Sequence, residues 1–161
     1  MTTSSSAVVV RRADSSDREE TADLYLRARQ RAEELGTIPR LTHDSEDVTR
    51  WIGGRISEAE CWLAEARSGA VVGLLVLDGD LLDQLYVDPD LTGNGIGGEL
   101  MAVGRRERPE GLRLWTFVSN EGAQRFYARH GFVEVRRTDG RDNEERAPDI
   151  LYAWLPSAPP G

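Results

Sequence analysis

Residues 85–100 read LYVDPDLTGNGIGGEL. An apolar run, residues 81–87, predicts a strand, and Pro89, which has no N–H for a ladder bond, stops it. Gly93, Gly95, Gly97 and Gly98 follow, and a helical pattern opens behind them. Glycine takes positive φ without a Cβ clash and lets the backbone approach a ligand. Free N–H groups at a helix start converge on one spot, where the helix dipole favours an anion. The string alone leaves three readings open: an anion cradle, a plain tight turn, and a dinucleotide fingerprint, because Gly93, Gly95 and Gly98 satisfy the GxGxxG spacing. Position argues against the last, since that fingerprint opens a first βαβ unit and several strands precede it here. A P-loop is excluded, because no Gly-Lys-Ser/Thr follows.

Upstream, residues 7–12 are rich in β-branched valine and predict a strand. Asp14 to Ser16 offer N-caps for a helix whose stripe Ala22, Tyr25, Ala28, Ala32 and Leu35 recurs every three or four residues, with Gly36 to stop it. A loop over 37–44 carries Pro39, Arg40 and His43. A second helix is expected over 45–56, weakened at its end by Gly53 and Gly54. Residues 61–66 and 70–77 predict a hairpin turned at Ser68-Gly69, and the turn Asp78-Gly79-Asp80 leads into the strand 81–87. Downstream come a helix over 95–108, a strand over 112–118, a helix over 120–130 ended by Gly131, a strand over 132–138, a charged loop, and a strand over 149–155. The order β-α-α-β-β-β-α-β-α-β-β implies one α/β (α+β) domain over 7–155. Its mixed, mostly antiparallel sheet should have six to seven strands, with about four helices, antiparallel hairpins first and parallel crossovers in the middle. Residues 1–6 and 156–161 read as flexible tails.

The chain has 161 residues, 39% hydrophobic and 30% charged, a composition too apolar for disorder. One cysteine, Cys61, rules out an intrachain disulfide and fits a reducing compartment. No leader-like segment or membrane-length apolar run is seen, so a soluble cytoplasmic protein is expected. The net charge of -8 repels nucleic acid and attracts cations. No His/Cys/carboxylate cluster has metal-ligand spacing, so no metal is expected.

Leu85-Tyr86-Val87-x-Pro89, then Gly93-x-Gly95-Ile96-Gly97 and Leu100, resemble the acetyl-CoA signature of the GNAT superfamily of acetyltransferases. Asn120, Ala123, Phe126-Tyr127 and Gly131-Phe132 resemble a second block of that family at its usual spacing. The resemblance covers nearly the whole chain. It implies direct transfer of an acetyl group from acetyl-CoA to an amine of a small molecule, peptide or protein. It implies that the turn from Thr92 through Gly93, Asn94, Gly95, Ile96, Gly97 and Gly98 holds the pyrophosphate by its N–H groups. It implies further that strand 81–87 splays from strand 112–118 to admit pantetheine beside Leu85, Tyr86 and Val87, that the Val87 N–H polarises the thioester carbonyl, and that Asn120 lies on the cofactor side. The family usually carries Gln or Arg at the position of Thr92, so binding here should rest on backbone N–H groups.

The same resemblance makes Tyr127 the expected acid that protonates the leaving thiolate. An alkylamine with pKa of about 10.4 must also lose a proton, at a cost of roughly 4–5 kcal/mol at pH 7. Asp83, on the strand leading to the site, is the expected base, and strand alternation puts it on the face of Leu81 and Leu85, opposite Gln84. Asn143, Glu144 and Glu145, in the loop that borders the acceptor site in this family, could bind a cationic acceptor or supply the base. His43 would line the facing wall. Phe126 and His130 read as structural, and Cys61 as a core thiol. The family often dimerises, so a homodimer is one expected state. The rival reading is a weakly catalytic acyl-CoA sensor. Acylation of RNA or a ribosomal protein and a dinucleotide oxidoreductase are further alternatives; the acidic charge argues against RNA.

Overall fold

The computed structural model describes residues 8–40 and 43–156. The expected strand start at Ala7, residues 41–42 of the first loop, and the tails 1–6 and 157–161 lie outside them. Seven strands form one sheet: β1 (Val8–Arg12), β2 (Glu60–Ala66), β3 (Val71–Asp78), β4 (Leu81–Val87), β5 (Leu112–Phe117), β6 (Val133–Thr138) and β7 (Asp149–Trp154), in the spatial order β1-β2-β3-β4-β5-β7-β6. Four α-helices connect them: α1 (Arg18–Glu34), α2 (Ser45–Glu58), α3 (Ile96–Glu107) and α4 (Glu121–Arg129). The element order expected from the sequence is the one observed.

The sheet is mixed and mostly antiparallel, as expected, and the order of its strands adds one detail. Only β4 and β5 pair in parallel, while every other neighbouring pair is antiparallel. Helix α4 does carry the chain from β5 to a strand of the same direction, but β7 inserts between β5 and β6 and pairs antiparallel with both. A sequence shows the crossover and not the strand that later fills the gap.

β3 is apolar from Val71 to Leu77 because that stretch is covered on both faces. Leu74 and Val76 pack with Leu24 of α1, Ile52 of α2 and Leu63. Leu75 and Leu77 pack on the other face with Leu100 of α3, Leu114 and Ile150. Gly73 permits the close approach of α3, since a Cβ there would stand 2.8 Å from Leu100 and 3.0 Å from Ala64.

Local chemistry sets the helix ends. Asp14 accepts the Ser16 N–H and Asp17 accepts the Asp14 N–H, a capping box on a 3-10 turn before α1. The α1 stripe buries Ala22, Tyr25 and Ala28, but Leu35 is exposed and Leu24 is buried instead. Asp44 caps α2 through the Asp47 N–H. α2 runs past Gly53-Gly54 to Glu58, two residues beyond the expected end. Gly53 fits there because a Cβ would meet the Arg18 side chain at 2.7 Å. No helix among the described residues is long and apolar enough to cross a membrane.

Candidate active site

β4 and β5 share one paired position, Leu81 with Arg113, and then diverge. A cleft of about 250 Å³ opens between them, lined by residues 82–86 of β4, Trp115 to Phe117 of β5, and Asn120, Ala123 and Tyr127 at the start of and along α4. The phase of the β3–β4 ladder decides which β4 amides face it. The Asp88 N–H bonds to the Val72 carbonyl, and Gly73 lies opposite Val87. In an antiparallel ladder, bonded and non-bonded pairs alternate, so Tyr86 spends its amide on Leu74 while Leu85 and Val87 turn theirs towards β5. The splay leaves those amides open to a ligand running along the strand.

The glycine turn stands at the same end. Gly93 and Gly95 have φ of 84° and 83°, which L side chains rarely adopt. Gly95 is the N-cap of α3, with no side-chain cap, and the first bonded amide of the turn is that of Glu99. The N–H groups of Ile96, Gly97 and Gly98 are therefore open, as an anion site requires. The Asn94 side chain is spent on the Leu91 carbonyl and holds the turn rather than a ligand. Thr92 is exposed. A Cβ on Gly97 would stand 3.2 Å from Phe126 and 3.8 Å from Val87. Helix α4 thus touches the cradle through Phe126 and lines the cleft through Ala123 and Tyr127.

Tyr127 is buried between Phe126, Phe132 and Tyr152. Burial pushes its pKa well above the ordinary tyrosine value, so it remains a phenol. Its hydroxyl makes no hydrogen bond among the described residues and is free to donate. Asn120 caps α4 by accepting the Ala123 N–H, at the mouth of the cleft. His130 packs its ring, tilted, against Phe126 with centroids 4.5 Å apart; burial, Arg105 and Arg129 lower its pKa, in keeping with a structural role.

Asp83 does not lie where alternation puts it. A bulge places Gln84 opposite Val76 and Leu82 opposite Leu77, so Asp83 is the extra residue. Leu82 and Leu85 consequently both face the α3 side. Asp83 faces α2, where Arg55 lies 3.5 Å from its carboxylate. Arg55 also binds Asp78 and accepts the Cys61 thiol at its carbonyl. Burial pushes that thiol up to about 11, leaving it unreactive at neutral pH.

A second cavity of about 550 Å³ lies between α1, α2 and the β6–β7 loop. Tyr25, Val48 and Trp51 supply its apolar surface, and Asp47, Glu144 and Glu145 its acids. His43 bonds Glu144 at 3.1 Å and ties the two walls together. Asn143 faces inward instead. Its amide donates to the Ala147 carbonyl and Asp149 and accepts the Ala147 N–H, so it shapes the loop. Tyr86 turns its ring to Tyr25 at 5.1 Å, and the buried Arg29 guanidinium acts electrostatically on both phenols. Burial raises both tyrosines. Arg29, Gln84 and Glu145 border this cavity and the β4–β5 cleft alike.

Sequence reading missed Arg29, Tyr25 and Trp51. Tyr25 reads as part of the apolar stripe of its helix. The available signal was Arg29 itself, a charge four residues beyond Tyr25 on the apolar face of α1. No group of His, Cys, Asp and Glu able to hold a metal occurs among the described residues.

A splayed strand pair leads from an open helix start to a second cavity, an arrangement suited to a group-transfer enzyme that binds an anionic donor. Residues 57–134 match the family described as the acetyltransferase (GNAT) domain. The peptidyl-lysine N-acetyltransferase YjaB of Escherichia coli is 32% identical over 112 residues, 68% of this chain and 72% of that one. Its counterpart in Salmonella typhimurium is 33% identical over 87 residues, 54% of this chain and 59% of that one. The solution structure of apo YjaB matches with a TM-score of 0.74 at 24% identity, over 93% of this chain and 99% of that one. A GCN5-related N-acetyltransferase from Rhodopseudomonas palustris matches with a TM-score of 0.74 at 20% identity, over 96% and 99%. The chain belongs to the GNAT acetyltransferase family, whose members use acetyl-CoA as cosubstrate, and it is an N-acetyltransferase.

Proposed function

We propose that this enzyme moves an acetyl group from acetyl-CoA directly to a primary alkylamine carried by a cationic acceptor, a lysine side chain in a peptide being the best fit. The observation that carries the reading is the meeting of two spaces. The β4–β5 cleft, with the free Tyr127 hydroxyl, opens at Arg29, Gln84 and Glu145 into a cavity walled by aromatics and acids. The YjaB relatives, named for peptidyl-lysine acetylation, support the same acceptor class.

The chain's residues divide the work. The open N–H groups of Ile96, Gly97 and Gly98 hold the pyrophosphate, helped by the α3 dipole. The amides of Leu85 and Val87 bond along pantetheine, and the Val87 N–H stabilises charge on the thioester oxygen. When bound, acetyl-CoA supplies an activated acyl carbon and a thiolate leaving group. Tyr127 gives that thiolate its proton. Tyr25 and Trp51 pack on the acceptor's alkyl stem, and Glu144, Asp47 and Glu145 attract its cation. His43 and Asn143 hold the loop that carries these acids.

Free-thiol release with acetyl-CoA tests the proposal against lysine peptides, small alkylamines and an alcohol. Release with the amines, greatest for lysine peptides, is expected. Tight acetyl-CoA binding with no release for any amine would instead favour the sensor reading.

A further inference from the structure

Of the three residues that border both the donor cleft and the acceptor cavity, Arg29 is a permanent cation and Gln84 a neutral amide. Glu145 is the third, and it alone can take a proton. We infer that Glu145 is the catalytic base that deprotonates the acceptor ammonium. The assignment rests on the proposed amine-acetylating reaction.

The other carboxylates around it are engaged. Glu144 bonds His43 at 3.1 Å, Asp47 meets Arg50 at 3.3 Å, and Asp83 meets Arg55 at 3.5 Å. Asp149 accepts from Thr138 and Asn143. Asp142 borders neither the donor cleft nor the acceptor cavity; it lines the neighbouring pocket on β5–β7, where Arg136 lies. Glu145 has no hydrogen bond or ion pair among the described residues. From α1, Arg29 and the Tyr25 hydroxyl face it, and from β4 the Tyr86 hydroxyl, whose ionisation its charge opposes. Tyr86 in turn couples to Tyr127 of α4. Glu145, Tyr86 and Tyr127 all line the β4–β5 cleft.

The loop is built to hold this side chain. Gly140 has φ of 80°, and a Cβ there would fall 2.2 Å from the Ala147 carbonyl carbon, so only glycine lets the two arms close. Asn143 staples the tip across to Ala147. Arg146, next to Glu145, is held at φ of 53°, the one non-glycine positive φ among the described residues. Strain of this kind persists where surroundings over-determine the backbone.

In the assigned step Glu145 takes one proton from the ammonium, and the freed lone pair forms the C–N bond. The C–S bond then breaks, Tyr127 gives its proton to sulfur, and the nitrogen's second proton returns to Tyr127. Glu145 releases its proton to water, so amide, thiol and one proton are the products.

The test is the pH profile of Glu145→Gln with a lysine peptide, beside its affinity for CoA. Turnover should fall on the order of 10²–10³-fold at pH 7, with CoA affinity unchanged. The deficit should shrink as pH approaches the amine's pKa of about 10.4, where solvent has already removed the proton. Glu145→Asp should keep part of the activity and the wild-type profile shape. No deficit, or a deficit equal at every pH, would overturn the assignment while wild-type turnover left the proposed function standing. Absence of wild-type turnover with any amine would overturn both.

Discussion

Tyr127 illustrates how surroundings set the protonation state of one side chain. Phe126, Phe132 and Tyr152 bury the ring. Burial disfavours the phenolate, so the residue keeps its proton at neutral pH. Tyr127→Phe keeps the ring contacts and removes only the hydroxyl. Turnover should then fall on the order of 10²-fold, while CoA affinity measured by calorimetry stays the same. Unchanged turnover would remove Tyr127 from the mechanism. Asp83 is the instructive contrast. Its position on the strand was legible, and its direction was not, because one bulge between Val76 and Leu77 reverses the alternation on which the reading relied. A bulge depends on how two strands meet, and neither strand's own residues announce it.

At the scale of the element, the glycine turn and α3 act as one part. The strand-stopping Pro89, the glycines and the following helix were all legible, because each follows from local backbone sterics. What leaves the turn's amides open, as the proposed pyrophosphate site requires, is the missing side-chain cap at Gly95, with φ of 83°. Gly95→Ala should therefore strain the turn by on the order of 1 kcal/mol or more and swing the open amides away. The expected result is weaker CoA binding and a raised KM for acetyl-CoA, with kcat at saturating acetyl-CoA close to wild type. A matched fall in kcat with unchanged KM would argue that the turn does not bind the donor. The β6–β7 loop is the opposite case. Its run of charges gives no local code for shape, and its form comes from Asn143 and Gly140 closing on Ala147.

The whole molecule adds the electrostatic frame. Hydrogen bonds from Arg11 hold Asp17 below the ordinary carboxylate range, and a bond from Arg113 does the same for Asp80. Such groups stabilise the fold above their unfolded pKa of about 3.9, and that contribution is lost as pH falls through the lower folded values. Burial raises Tyr25, Tyr86 and Tyr127. Their contribution is present below the unfolded tyrosine pKa of about 10 and is lost as pH rises through the folded values. Denaturation midpoints should form a plateau between about pH 5 and pH 9 and drop on both sides. The alkaline drop should coincide with phenolate absorbance. A midpoint flat to pH 11 would mean that these tyrosines are not kept neutral by the fold.

The sequence by itself determined the element order, the glycine turn, the cap at Asp14, and membership of an acetyl-transferring family. Those features depend on residues close together in the chain, through propensity, capping and backbone sterics. Only the tertiary structure decided that β7 separates β5 from β6, that Asp83 turns to Arg55, and that Arg29, Gln84 and Glu145 meet between the β4–β5 cleft and the α1–α2 cavity. These three come from α1, β4 and the β6–β7 loop. Nothing local specifies their approach; it follows from strand pairing and from packing on both faces of β3.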